Sequence, residues 1–444
     1  MTKTAVIGLD CADPNLVFGE LWNELPNLRS LAEVGTFGPL RSVVPPITVP
    51  AWMCMVTGKD PGELGIYGFR NRPDHSYGNV SFATSGMLRS EPVWQTFARA
   101  GNKRCIILNV PMTYPARSIQ NGCMVSGFLA PSLKSQCTWP PGLKDELQQI
   151  CPCYLFDTEG FRGPNKQKVL ESVYSLTKEQ FRFARHTANT RPWDFFMFVS
   201  IGPDRMHHTF WAHHDPTHPK HNPKSPFKNA IRNYYRYIDT EIGELLSLFP
   251  QNTRIVVVSD HGIQKMHGGF ALNDWLIREG YLVLKKQPGD PTPLGNLISD
   301  DMVDWSKTIA WAWGGYTGKV FLNIKAREPQ GFVPQGRMEQ VLEKLKAKMQ
   351  QIPGEDGESI KNECFEPQAI YNNTNNIAPD LLVHLGGLSR RVLGTVGNAS
   401  LYMHENDTGP DDANHAMDGI FISNQPGPRP RSLLQIHDYL TNSL

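Results

Sequence analysis

The sequence lacks a long apolar run, an excess of charge of one sign and any Cys-x-x-Cys pair. It has 44 Lys and Arg against 43 Asp and Glu, a formal net charge of +1, so no overall field attracts nucleic acid or an anionic membrane. No apolar stretch approaches the roughly 20 residues that cross a bilayer. We therefore expect neither a nucleic-acid polymer nor a membrane as a partner, and any charged ligand must be bound by a local site.

The eight cysteines are scattered along the 444 residues, which is typical of free thiols in a reducing compartment. The N-terminal run Thr4–Leu9 is short, ends at an acid and is typical of a mature strand rather than a signal peptide. These features predict a cytoplasmic protein. The length gives a prior of about two to three domains at roughly 150 residues each.

Short apolar, β-branched runs alternate with helical patterns, which predicts an α/β fold with a mostly parallel sheet covered on both faces. The predicted strands are Thr4–Leu9, Arg104–Val110, Trp193–Ile201, Arg254–Ser259, Asp380–Leu385 and Gly419–Ser423. The predicted helices include Asn27–Glu33, Glu91–Ala100, Asn165–Ala188, Phe227–Leu248, Arg337–Gln351 and Arg431–Leu440.

The pattern changes between about Gln287 and Gln368, where Pro, Gly and Asp are frequent. Thr308–Trp313 and Lys319–Lys325 predict a hairpin there, followed by a charged helix. We expect residues 287–368 to form an inserted cap that determines substrate specificity. Residues 1–286 and 369–444 would form the core, and the chain would return to the main sheet at Asp380.

Acids and histidines follow three of the predicted strands. Asp10 follows the first, Asp204 and His208 follow the third at a four-residue spacing, and Asp260-His261-Gly262 follows the fourth. Each has an ordinary explanation by itself, because a strand-terminal Asp often caps a helix. Ligands, however, bind at the carboxyl edge of such a sheet, and three carboxylates gathered there would repel one another. The coincidence predicts two divalent metal ions.

A candidate nucleophile lies in Pro46-Ile47-Thr48-Val49-Pro50, just before a predicted helix. Pro50 is suited to the first turn of that helix, and a helix N-terminus favours a phosphate or an alkoxide. A threonine hydroxyl is a poor nucleophile unless a metal ion makes it more acidic. From this motif alone, a nucleophile and a simple turn residue are comparable interpretations of Thr48.

These motifs, together with Thr57-Gly58-Lys59-Asp60-Pro61-Gly62, resemble the type I phosphodiesterase/nucleotide pyrophosphatase family of the alkaline phosphatase superfamily. The similarity runs in the same order over nearly the whole chain. It implies an alkaline-phosphatase-like α/β/α sandwich. It also implies that the reaction passes through a covalent phosphothreonine intermediate at Thr48. It also implies that His415 is a metal ligand, which spacing alone does not indicate.

By the family pattern, Asp204, His208 and His415 hold one metal ion. Asp10, Asp260, His261 and the Thr48 oxygen hold the other. Mixed Asp and His ligands suit zinc, and manganese is the alternative.

The sequence departs from the family pattern at one position. In nucleotide pyrophosphatases, an Asn about twenty residues after the nucleophile contacts a phosphoryl oxygen. Ungapped counting reaches Phe69, and Arg70, Asn71 or Arg72 are the possible replacements. Tyr316 and the tryptophans Trp305, Trp311 and Trp313 could form a wall for the leaving group, although hairpin packing explains the tryptophans equally well.

We predict hydrolysis of a small phosphodiester or nucleotide pyrophosphate. The alternatives are a phosphomonoesterase, a phosphonate hydrolase or a catalytically silent homologue that binds metal or phosphate.

Overall fold

The computed structural model describes residues 3–286, 288–293 and 302–442. Gln287 and residues 294–301 of the expected cap, and residues 1–2 and 443–444 of the expected core, lie outside the described residues. Two compact units are present. The first contains Met1–Asp60, Ala83–Ile263 and His415–Leu444, and the second contains Pro61–Phe82 and Gln264–Asn414.

The first unit is built on an eight-stranded sheet with the order β2-β8-β7-β1-β6-β3-β4-β5. The five neighbours β7, β1, β6, β3 and β4 are parallel, whereas β8, β2 and β5 pair antiparallel with their neighbours. In chain order the strands are β1 (Thr4–Leu9), β2 (Thr36–Arg41), β3 (Cys105–Leu108), β4 (Gly122–Val125), β5 (Thr138–Trp139), β6 (Phe195–Ser200), β7 (Arg254–Val258) and β8 (Asp418–Ser423).

Eight α-helices among the described residues of the first unit lie between or after these strands, which gives an α/β architecture. The central strands β1 and β6 are buried along their whole length, because helices cover both faces of a parallel sheet. In chain order the helices are α1 (Pro26–Val34), α2 (Thr48–Thr57), α3 (Val93–Arg99), α4 (Leu143–Ile150), α5 (Lys166–Thr190), α6 (Gly202–His214), α7 (Ala230–Leu246) and α8 (Ile436–Thr441).

The predicted helix Phe227–Leu248 corresponds to α7. Its buried face includes Ile231, Tyr234, Tyr235, Ile238 and Ile242, which are fully buried. Among the described residues, no helix is both long and apolar enough to span a membrane. All eight cysteines are described, and no disulfide joins them.

The second unit holds a four-stranded antiparallel sheet made of Ala310–Trp313, Gly318–Leu322, Leu381–His384 and Glu363–Phe365, in that spatial order. The first two strands are the predicted hairpin. Its α-helices are Pro61–Leu64, Leu272–Arg278, Met338–Gln350 and Pro367–Ile370, and its shorter strands are Arg70–Asn71, Ser81–Phe82, Gly269–Phe270, Thr292–Pro293, Arg391–Val392, Thr395–Val396 and Tyr402–Met403. Gly262–Lys265 and Ala413–Ala416 are strands where the chain passes between units.

The second unit shows that one expectation, the return of the chain to the main sheet at Asp380, is wrong. Its bounds also differ from those of the expected cap. Leu381–His384 does not return to the main sheet, because it pairs with Gly318–Val320 and Glu363–Phe365 in the second unit. A short apolar run does not reveal which sheet it joins. The unit is also wider than the expected cap at 287–368, since it consists of Gln264–Asn414 together with Pro61–Phe82.

Candidate metal centre

Two adjacent strands bring Asp10 and Asp260 together. Strands β1 and β7 pair in parallel with Gly8 opposite Val258, so the residues that follow them leave the sheet side by side. Cys11 has a positive φ of 65°, and its backbone N–H donates to Asp260 Oδ1 over 3.1 Å. Trp52 Nε1–H donates to Asp10 Oδ2 over 2.7 Å. Asp10 Oδ1 and Asp260 Oδ2 are buried without a hydrogen-bond partner in the described part of the chain.

Helix α6 brings Asp204 and His208 to the same edge of the sheet. It begins two residues after β6, and its four-residue spacing puts both side chains on one helix face. Asp204 Oδ1 lies 3.3 Å from His208 Nε2. Asp204 Oδ2 accepts a hydrogen bond from Arg205 Nη1 over 2.5 Å, whereas Oδ1 has no hydrogen-bond partner among the described residues.

His415 joins this group although its short strand, Ala413–Ala416, comes before β8 and not after a strand of the main sheet. Strand β8 runs antiparallel to β7, so the start of β8 lies at the edge where β7 ends. His415 Nδ1 lies 2.6 Å from the Pro46 carbonyl oxygen. Because a carbonyl only accepts, Nδ1 carries the proton and Nε2 offers a lone pair. Nε2 lies 3.2 Å from His208 Nε2 and 3.7 Å from Asp204 Oδ1.

His261 is oriented in the same way. Its Nδ1 donates to the Gly262 carbonyl oxygen over 3.1 Å, which leaves the Nε2 lone pair facing three oxygen atoms. These are Asp260 Oδ2 at 3.2 Å, Thr48 Oγ1 at 3.4 Å and Asp10 Oδ1 at 3.9 Å. The rings of His261 and His415 stack with their centroids 3.8 Å apart.

The electrostatics of the group favour a cation. Burial lowers the pKa of His261 to about 4 and that of His415 well below its usual value, so both rings are neutral near pH 7. Burial, reinforced by neighbouring carboxylates, raises the pKa of Asp10 and of Asp260. At Asp204 burial acts in the same direction, but His208 and Arg205 outweigh it and the pKa is lowered. Neutral imidazoles among crowded carboxylates are the ligand set of a divalent metal.

All seven residues predicted to form the metal and nucleophile site therefore come together in the first unit. Two sets of three residues each offer ligand atoms that lie within 4.8 Å of one another inside the set. The sets are Asp204/His261/His415 and Asp10/Asp260/His261. His261 belongs to both sets, whereas the family pattern assigns it to the second. Thr48, 3% exposed, is the first residue of α2 rather than the residue before it.

Three of the predicted substrate-binding residues, Arg70, Asn71 and Tyr316, lie in the second unit. Arg70 is exposed, and its carbonyl oxygen accepts from Lys319 Nζ over 2.8 Å. The side chain of Asn71 accepts from the Tyr67 N–H and donates to the Gly68 oxygen, each over 2.9 Å, so its amide stabilises its own turn. Tyr316 donates to Asp411 Oδ2 over 2.6 Å.

The tryptophans of the second unit belong to its apolar core. Trp305, Trp311 and Trp313 are at most 5% exposed. Trp305 stacks on Tyr77 with the ring centroids 3.7 Å apart. Their burial supports packing, the alternative that the sequence left open, over a wall for a leaving group.

Several residues that support the site were not predicted. Trp52 orients Asp10, and the Pro46 carbonyl orients His415. Asp157 pairs with Arg205 over 2.6 Å. Trp52 lies in the same helix as Thr48, and Arg205 directly follows Asp204. This proximity in sequence to predicted site residues could have indicated that Trp52 and Arg205 support the site. Asp157 has no such signal.

The fold and this group of side chains define an α/β protein of the alkaline phosphatase superfamily. The model of the type I phosphodiesterase / nucleotide pyrophosphatase family matches residues 4–411. The chain belongs to that family, and its predicted membership is confirmed. His415 lies beyond the matched range.

Solved structures share the fold at low identity. Phosphonoacetate hydrolase from Sinorhizobium meliloti 1021, in complex with phosphonoacetate, superimposes with a TM-score of 0.63 at 15% identity, covering 99% of this chain and 94% of that chain. Murine ectonucleotide pyrophosphatase / phosphodiesterase 5, an inactive variant in complex with AMP, gives a TM-score of 0.54 at 12% identity, covering 100% and 94%. A search of curated proteins found no match.

Proposed function

We propose that this chain hydrolyses a small phosphodiester or nucleotide pyrophosphate with two divalent metal ions and a covalent intermediate at Thr48. The observation that carries the proposal is a set of three buried carboxylate oxygens, Asp10 Oδ1, Asp204 Oδ1 and Asp260 Oδ2, without hydrogen-bond partners among the described residues. Three buried carboxylates, each with one oxygen that lacks a partner, are destabilising by several kcal/mol unless their charge is compensated. Bound cations would remove this penalty.

The residues present fit two cations. Asp204, His208 and His415 would hold one, and Asp10, Asp260, His261 and the Thr48 oxygen would hold the other. Zinc suits the mixed nitrogen and oxygen ligands, and manganese is the alternative. When bound, the two ions supply positive charge that neutralises a phosphoryl group and lowers the pKa of a nearby hydroxyl.

Thr48 is the residue placed for attack. It begins the ten-residue helix α2, whose N-terminal dipole favours a phosphoryl group. Thr48 Oγ1 gives its proton to solvent and forms a bond to phosphorus as the bond to the leaving oxygen breaks, and the leaving alcohol or phosphate takes up a proton from solvent as required. Water then cleaves the phosphothreonine, which restores the Thr48 hydroxyl and releases a phosphomonoester.

The contacts of Arg205 and Arg72 support a diester over a monoester, whereas Arg70 is exposed. A monoester carries an extra negative charge, which enzymes often bind with arginine. Arg205 is paired with Asp157 and Asp204, and Arg72 is paired with Glu328 inside the second unit. Neither guanidinium is therefore available for that charge.

The test is to purify the protein, measure bound metals by mass spectrometry and compare hydrolysis rates of bis(p-nitrophenyl) phosphate and p-nitrophenyl phosphate. We expect two equivalents of divalent metal and a faster rate on the diester. A faster rate on the monoester, or on phosphonoacetate, would replace the diester proposal with one of the alternative substrates. Metal binding without turnover of any of them would support a catalytically silent homologue.

A further inference from the structure

The Arg205 side chain is enclosed on its edges and on its faces. Its Nε and Nη2 atoms donate to the two carboxylate oxygens of Asp157 over 2.6 and 3.0 Å, and Nη1 donates to Asp204 Oδ2 over 2.5 Å. The guanidinium lies over the rings of Phe161 and Phe128, 4.3 and 4.7 Å from their centroids. Only 6% of the side chain is exposed. An arginine held in this way has little surface left for a substrate.

These contacts determine which oxygen of Asp204 faces the site. Oδ2 is bound by Arg205, so Oδ1 remains for the group formed by His208 and His415, whose Nε2 atoms lie 3.3 and 3.7 Å away. Rotation of the carboxylate would break the hydrogen bond to Arg205. The arginine thereby fixes the direction of the Asp204 lone pairs.

Asp157 has a separate electrostatic effect. Without it, Asp204 would be the only carboxylate among the described residues to pair with the Arg205 guanidinium, and a strong one-to-one ion pair would compete with a cation for Asp204. The bidentate contact with Asp157 shares the arginine charge between two acids. Asp157 lies in the irregular segment between α4 and α5, so that segment is tied to the group of metal-ligand candidates.

We propose that Asp157 and Arg205 are positioning residues that orient Asp204 toward its metal ion, and that Arg205 does not bind substrate. The inference rests on the proposed function because it assumes that Asp204 is a metal ligand. Residues that orient metal ligands typically change metal affinity or activity 10- to 100-fold when replaced.

The test compares Asp157→Asn and Arg205→Lys with the wild-type protein. Lysine keeps the charge of Arg205 but cannot form the bidentate contact. A matched control is Asp194→Asn, which disrupts another bidentate pair, with Arg104 at 3.0 and 3.3 Å. Arg104 and Asp194 precede β3 and β6, so this pair lies at the opposite edge of the same sheet.

Zinc affinity is measured by competition with a chromophoric chelator after removal of metal. We expect one of the two zinc ions to bind 10- to 100-fold more weakly in Asp157→Asn and Arg205→Lys, and both to bind normally in Asp194→Asn. At saturating zinc, KM for bis(p-nitrophenyl) phosphate should stay within about twofold of wild type, and kcat should recover. Asp157→Glu serves the same comparison if Asp157→Asn does not fold.

Failures of the two proposals are distinguishable. A wild-type protein that binds no divalent metal contradicts the proposed function. A wild-type protein that binds two ions, with unchanged affinity in the variants, contradicts only the positioning role. A higher KM for aryl phosphates in Arg205→Lys, with unchanged zinc affinity, would instead make Arg205 a substrate ligand.

Discussion

The Nε2 atom of His261 lies 3.4 Å from the hydroxyl oxygen of Thr48, and Nδ1 of the same ring donates to the Gly262 carbonyl. This arrangement leaves Nε2 without a proton to donate, since burial lowers the pKa of His261 to about 4. His261 therefore presents a neutral lone pair beside Thr48. The positive charge needed to make the hydroxyl a nucleophile has to come from elsewhere, which agrees with a metal centre.

Removal of the Thr48 hydroxyl should abolish turnover without disturbing the fold. We expect Thr48→Ala to lower kcat for bis(p-nitrophenyl) phosphate roughly 10⁴-fold or more, as for other covalent nucleophiles. Thr48→Ser keeps a hydroxyl and should retain measurable activity. Both variants should keep at least one bound metal ion, measured by mass spectrometry.

The matched control for Thr48→Ala is Thr57→Ala at the other end of the same helix. The Thr57 hydroxyl donates to the Met53 carbonyl oxygen over 2.7 Å, so its loss affects only local stability. Activity within about twofold of wild type is expected. If Thr48→Ala were as active as Thr57→Ala, Thr48 would not be the nucleophile.

Trp52 should contribute to metal affinity through Asp10. Trp52→Phe removes the indole N–H that donates to Asp10 Oδ2 over 2.7 Å, at a site that is fully buried. We expect a 10- to 100-fold loss of affinity for one zinc ion, because the carboxylate loses its orienting partner. The comparison is Trp193→Phe, another buried indole whose N–H donates to the Ala188 oxygen. Equal zinc affinity in both variants would contradict the prediction.

Metal removal should destabilise the protein. Without cations, Asp10, Asp204 and Asp260 remain buried close together, and burial with mutual repulsion raises the pKa of Asp10 and Asp260. A ligand at 100 times its Kd stabilises by about 2.7 kcal/mol per site, so two sites together should raise Tm by about 6 °C in a chain of this length. Thermal melts with a chelator, and after zinc or manganese is restored, measure this difference. Coinciding melting curves would argue against a metal centre.

Much of the site could be predicted because its residues follow strand ends. Asp10, Asp204 and Asp260 each come just after a buried strand or at the start of the next helix, and the carboxyl ends of parallel strands share one edge. His415 could not be found in this way. It lies in the short strand Ala413–Ala416 before β8, and the antiparallel direction of β8 brings it to the same edge; the family resemblance identified it.

The parts that could not be predicted depend on contacts between distant residues. Nothing in the spacing of Asp157 indicates that it pairs with Arg205, 48 residues away. The apolar pattern of Leu381–His384 indicates a buried strand but does not choose between the two units. Arg72 was a candidate for binding phosphate, whereas its ion pair with Glu328 is internal to the second unit.

Arg72 should therefore affect stability. Its side chain is 1% exposed, pairs with Glu328 over 3.3 Å and lies 5.0 Å from the centre of the Phe321 ring. We expect Arg72→Ala to lower the free energy of unfolding by about 3 kcal/mol, because it breaks a buried ion pair. Urea denaturation measures this change, and zinc content should be unchanged. Arg70→Ala, at an exposed neighbour, should change stability by less than about 0.5 kcal/mol, so similar losses would contradict this role.

Replacement of Asp260 should have opposite effects on stability with and without metal. Asp260→Asn removes one negative charge from the buried group. It keeps an oxygen that can accept the hydrogen bond from the Cys11 N–H, which in the wild-type protein is 3.1 Å long. Because the Asp260 carboxylate helps to raise the pKa of Asp10, we expect the chelator-treated variant to melt at a higher temperature than chelator-treated wild type. In excess zinc the order should reverse, since the variant lacks a charged ligand for one ion. A variant that is less stable under both conditions would show that Asp260 acts only through its hydrogen bonds.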